Sequence, residues 1–343
     1  MKKIICVALS ITFSGLLMAQ SSSSYKIVNR FHLDGDMGWD YLTADDATNR
    51  LYVSHGNMVQ VLDLNNGGKQ IGAVTGLNGV HGVALADELN KGFISSGRDS
   101  TVVVFDLATL TPTARIKVTG ANPDAIVYDK FSGKVFTFNG RTDNSTVIDA
   151  KTNAITGTIN LPGKPEFAVA DGKGKIYDNL EDKSEICVIN TVSMKVENAW
   201  SLTPGEEPSG LAMDKANNLL FSVCDNNLMI VSDALKGTIV AKIPIGSHPD
   251  GAGFDASLYR AYSSNGEGTL TVVQETNAKN FTVLANVPTS RGARTCTVDS
   301  KTHHIYLSSA QYGEAPMPTV DHPHPRPAIK SGTFEILDVV ETK

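Results

Sequence analysis

Short apolar runs rich in Val, Ile, Tyr and Phe recur from Tyr25 to the C-terminus, each closed by a cluster of Gly, Asn, Asp, Ser or Lys. Runs of about four to eight residues between such clusters predict β-strands rather than helices. No convincing helical period is visible, and the 30 glycines fit a chain rich in turns. The runs come in sets of four. In one set Pro123–Asp129 predicts strand A, Lys134–Phe138 strand B, Ser145–Asp149 strand C and Ala154–Leu161 strand D. Phe131-Ser132-Gly133, Asn139-Gly140-Arg141 and Lys151-Thr152-Asn153 supply the turns between them.

The set repeats seven times. A polar residue opens strand A, an Asp ends it five residues later, and a Tyr or Phe follows six or seven residues beyond, in strand B. The anchors are Asp45, Asp129, Asp171, Asp214, Asp255 and Asp299, with Ala86 in the second repeat, and successive anchors lie 41–44 residues apart. A period in the low forties with four strands per unit predicts an all-β chain, a seven-bladed β-propeller with four antiparallel strands per blade. The seventh repeat runs out after its strand C, Phe334–Asp338. Tyr25–Leu33 has no A, B or C strand before it and matches the D strands, such as Thr113–Val118. It is expected to complete the seventh blade, which closes the ring and leaves no edge to open.

The first residues are of another kind. Lys2 and Lys3 precede the apolar stretch Ile4–Leu17, and Leu17-Met18-Ala19 puts a small residue before a cleavage point. Residues 1–19 are expected to be a secretory signal peptide and residues 20–343 the propeller, exported to the periplasm or secreted. Without those two lysines the net charge falls from −6 to −8. An acidic chain with no basic run argues against a nucleic-acid partner. No later apolar stretch approaches the roughly 20 residues that span a bilayer, so no membrane insertion is expected. Cys187, Cys224 and Cys296 would remain after cleavage, an odd number that leaves at least one free thiol. Cys187 and Cys296 stand in strand-like runs and are expected to be small buried apolar side chains. Covalent haem, zincin, nucleophile-elbow and phosphate-loop motifs are all missing.

The strand motifs resemble the YVTN-repeat, YncE-like family of exported bacterial propellers. The likeness rests on Asn49-Arg50-Leu51-Tyr52-Val53-Ser54, Lys134-Val135-Phe136, Lys175-Ile176-Tyr177 and Thr146-Val147-Ile148-Asp149-Ala150-Lys151-Thr152-Asn153. It covers nearly the whole chain after the leader. The resemblance implies an exported binding or surface protein. Some members of the family resemble DNA binders, a role that the acidity of this chain disfavours.

Candidate chemistry follows from topology. In a propeller the loops entering each innermost strand emerge on one face around the central channel. Five residues before each anchor stand Asp40, His81, Asp124, Glu166, Ser209, Asp250 and Arg294. Polar side chains at such entries also serve simply to face channel water. Read as a site, they bring four carboxylates, an imidazole and a guanidinium to one mouth, where they suit a small-molecule or protein ligand. No cofactor is fixed by a motif. A divalent metal is the candidate, with His81, Asp124, Glu166 and Asp250 as ligands. Ligand binding without turnover is the expected function. The alternative is a metal-assisted hydrolase or lactonase-like enzyme at the same mouth. Between strands B and C of the seventh repeat a long loop replaces the tight turn and carries His322, His324 and Arg326 in a Pro-stiffened run, placed to add to that face. His303 and His304 are expected to be surface turn residues on the opposite face.

Overall fold

The computed structural model describes residues 24–314, 316–317, 319 and 327–342. Seven four-stranded antiparallel sheets stand around one axis, each ordered A-B-C-D from the centre outward. The third blade shows the agreement with the sequence pattern: its strands are Pro123–Asp129, Lys134–Asn139, Asn144–Asp149 and Ile155–Asn160. In the seventh blade, strands A to C come from the C-terminal end and strand D is the N-terminal strand Ser24–His32. Strand C there continues past Asp338 to Thr342, longer than the pattern suggested, because the N-terminal strand pairs with it from His32↔Glu335 to Ser24↔Thr342. Apart from three short 3-10 turns, no helix occurs among the described residues, and none is long and apolar enough to cross a membrane.

The core is divided radially. Seven apolar clusters each sit between two neighbouring blades, such as Phe136, Phe138, Ile176 and Ile189 between the third and fourth. Strands B and C are buried on both faces, which is why they read as nearly continuous apolar runs. The anchor Asp shapes the turn that follows it. Its carboxylate accepts the backbone N–H groups of the A–B turn, as Asp45 does from Ala47 and Thr48 and Asp255 from Ser257 and Leu258. This is an Asx turn repeated around the ring. The second blade, with Ala86 at the anchor, instead turns through the short 3-10 segment Asp87–Leu89.

Ring closure has a polar lock. Arg260 of the sixth blade donates to the Tyr25 hydroxyl and to Glu341, both at 2.6 Å, and so ties the two terminal strands to their neighbour. His303 lies partly exposed in the A–B turn, as the sequence suggested, whereas His304 is the first residue of strand B. His303 Nδ1 lies 2.7 Å from buried Asp255, tying its turn to the sixth blade, and His304 Nδ1 lies 2.5 Å from buried Asp338, linking strands B and C of the seventh.

Candidate functional site

The innermost strands do not run straight into the mouth. In the first six blades the pairing of strand A with strand B shifts register at its opening, as between Trp39 and Leu42 or between Pro165 and Ala168. The polar opening residue lies within each irregularity. A bulge frees a residue from the ladder and turns its side chain in a new direction. The same local device therefore aims Asp40, His81, Asp124, Glu166, Ser209 and Asp250 at the channel. Arg294 precedes the shorter seventh A strand, Cys296–Asp299.

Four of these residues gather on one side. His81 Nδ1 is 2.6 Å from Asp40 Oδ2 and 3.4 Å from Asp124 Oδ1, joining the first three blades. Glu166 follows on the fourth blade, with Lys164 Nζ at 3.6 Å; the same ammonium pairs with Glu181. All four acid and imidazole side chains are about four-fifths buried. Burial opposes charge on the His81 ring, but the hydrogen bond to Asp40 and the charges of Asp124, Asp40 and Glu166 prevail and lift its pKa to about 9. Burial raises Asp124 to about 6 against the pull of His81, and burial with the Asp124 charge raises Glu166 to about 7. Asp124 Oδ1 is shut off from solvent and accepts no hydrogen bond. Beneath them Asp178 is fully buried, and burial followed by the Glu166 charge drives its carboxyl well above the usual range.

The other candidates lie apart from this group. Arg294 pairs with Asp250 between the sixth and seventh blades. Ser209 donates to the Pro249 carbonyl at 3.0 Å, a bond between neighbouring blades. His322, His324 and Arg326 lie outside the described residues. The base of their loop is anchored near the same face, with the Tyr312 ring 6.1 Å from that of Trp39, the residue before Asp40.

Two important residues were missed by the sequence reading, Tyr41 and Phe167. Each is the second residue of its bulge. Their rings meet edge to face, with centroids 5.0 Å apart, although they belong to the first and fourth blades. Residues of non-adjacent blades can touch only in the channel, so this pair narrows it below the polar mouth. Burial and the charges of Asp124, Asp40 and Glu166 push the Tyr41 phenol well above its ordinary pKa. Past the pair lies a cavity of about 410 Å³, lined by Leu42, Val127, Phe167, Leu211, Phe254 and Val298 among others. The rule that a second bulge residue also faces the axis would have found both aromatics.

No family model matches the chain, and no curated protein matches it. Solved structures match in shape. U3-55K superposes with TM-score 0.76 at 8% identity over 92% of this chain and 99% of that one. The WD40 repeats of RRP9 give 0.74 at 7% identity over 93% and 98%. Hydrazine synthase of Kuenenia stuttgartiensis gives 0.68 at 15% identity over 80% and 94%. The chain is therefore a seven-bladed β-propeller of WD40-like architecture, and at these identities the likeness is one of fold.

Proposed function

We propose that this chain is an exported propeller of the YncE-like, YVTN-repeat kind. Residues 1–19 serve as its signal peptide, and residues 20–343 act in the periplasm or outside the cell. Its role is to hold a small molecule or a protein partner at the channel mouth without turnover. The observation that carries this is the gathering of Asp40, His81, Asp124 and Glu166 from four consecutive blades into one largely buried acidic corner. Burying carboxylates that repel one another opposes folding, so such a corner is readily explained as a receptor. Binding without chemistry fits the way the remaining mouth groups are engaged, Arg294 with Asp250 and Ser209 with a backbone carbonyl.

The test is native mass spectrometry and cross-linking of the protein recovered from the cell envelope, beside a Glu166→Gln, Asp250→Asn variant. The wild type is expected to carry a bound species or a cross-linked partner that the variant lacks. Identical captures from both would overturn the proposal.

A further inference from the structure

Resting on the receptor role proposed above, we infer that the acidic corner is a site for one divalent transition-metal ion, with Asp40, His81 and Asp124 as its protein ligands. Three observations converge. First, one donor atom from each residue, His81 Nδ1 and a carboxylate oxygen of each Asp, lies within 4.8 Å of the other two. An ion about 2.1 Å from each donor needs them roughly 3 to 3.5 Å apart; the 3.4 Å contact of Nδ1 already meets this, and the 2.6 Å contact must open by about 0.4–0.9 Å. Second, Asp124 Oδ1 is shut off from solvent and makes no hydrogen bond, with His81 Nδ1 standing 3.4 Å away. A buried acceptor served only by so long a contact is costly, and an ion would sit closer to it. Third, the imidazole is set in place from behind. A Cβ on Gly97 would stand 2.5 Å from His81 Nε2, so glycine leaves the space in which the ring turns Nδ1 toward both carboxylates.

The donor set selects among ions. Two carboxylate oxygens and one imidazole nitrogen suit Zn²⁺ or Mn²⁺ better than Ca²⁺, which takes six to eight oxygens. Three protein ligands on a channel leave the remaining coordination positions toward the mouth, where a ligand's own oxygen or nitrogen would complete the sphere. Glu166 and Tyr41 flank the group.

The experiment uses full-length mature protein stripped with chelator, titrated separately with Zn²⁺, Mn²⁺ and Ca²⁺ by calorimetry, with Mn²⁺ also followed by loss of its free spin-resonance signal. One equivalent of Zn²⁺ or Mn²⁺ per chain is expected to bind, with Ca²⁺ at least tenfold weaker. Asp124→Asn and, separately, Asp40→Asn should each weaken binding by more than the 10–100-fold typical of outer-shell changes. Circular dichroism identifies any variant that has not folded, and the second variant then decides. Glu267→Gln, in the B–C turn of the sixth blade where the carboxylate accepts from Ser247 and Thr269, should bind as the wild type does. No saturable binding of Zn²⁺ or Mn²⁺ would overturn the assignment. So would binding that survives both Asp substitutions, or that disappears in a His322→Ala, His324→Ala variant instead. If the metal fails while Glu166→Gln, Asp250→Asn still loses the species captured from the cell, the receptor role stands and only the ion falls.

Discussion

Tyr41 and Phe167 are 126 positions apart in sequence, yet their rings meet edge to face at 71° across the propeller axis. They join blades that share no sheet and no common core cluster. The contact separates the charged mouth from the cavity lined by Leu42, Val127 and Phe254. A double-mutant cycle of Tyr41→Ala and Phe167→Ala, followed by urea unfolding, is expected to show a coupling of about 0.5–1.5 kcal/mol, typical of aromatic pairs. Additive effects would mean that the rings touch without supporting each other.

His81 should titrate unusually high. In chelator-treated protein its NMR pKa is expected near 9. Burial works against the charged ring, and the hydrogen bond to Asp40 does most to overcome it, so Asp40→Asn should bring the value down. The folded value exceeds the unfolded one. The stability it contributes is therefore complete below about pH 6.5 and is lost as pH rises through about 9. A pKa near 6.5 in the folded protein would show that the ring does not face both carboxylates.

Glu166 has the opposite effect on stability. Its pKa is raised to about 7, first by burial and then by Asp124, so the ionised form is disfavoured in the fold. Its destabilising contribution is present above pH 7 and is relieved as pH falls through 7 toward 4.5. Glu166→Gln should therefore raise unfolding stability at pH 8 by about 1–3 kcal/mol and make little difference near pH 4. Denaturant titrations at the two pH values measure this directly.

Closure of the ring can be tested at Arg260. Arg260→Ala removes two charge-assisted bonds that hold the terminal strands, to Tyr25 and to Glu341. A loss of about 2–4 kcal/mol is expected, since hydrogen bonds to charged groups contribute about 1.5–3 kcal/mol each and the loss at a partly wet site is smaller than their sum. Tyr25→Phe should cost about 1 kcal/mol. Thermal unfolding of both variants provides the measurement.

The anchor Asp should matter as a turn device rather than as a ligand. Asp129→Ala deletes the acceptor for the N–H groups of Phe131 and Ser132 and is expected to cost about 1–2 kcal/mol, while ligand capture at the mouth stays unchanged. An equal loss of capture would place the anchor in the site.

The sequence by itself determined the number of blades, their four strands and the closure by the N-terminal strand. These follow from local periodicity: a strand-A anchor every 41–44 residues, an Asp in six of the seven repeats, and apolar runs whose both faces must be covered. It also singled out seven strand-entry positions, six of which fall within the same repeated register shift. Which of them meet was decided only by the tertiary structure. Asp40, His81 and Asp124 converge, Arg294 turns to Asp250 and Ser209 to a carbonyl, since the choice depends on side-chain reach across neighbouring blades. The Tyr41–Phe167 contact and the burial of Asp178 were equally out of reach, for contacts across an axis and the depth of a carboxyl leave no period in the chain.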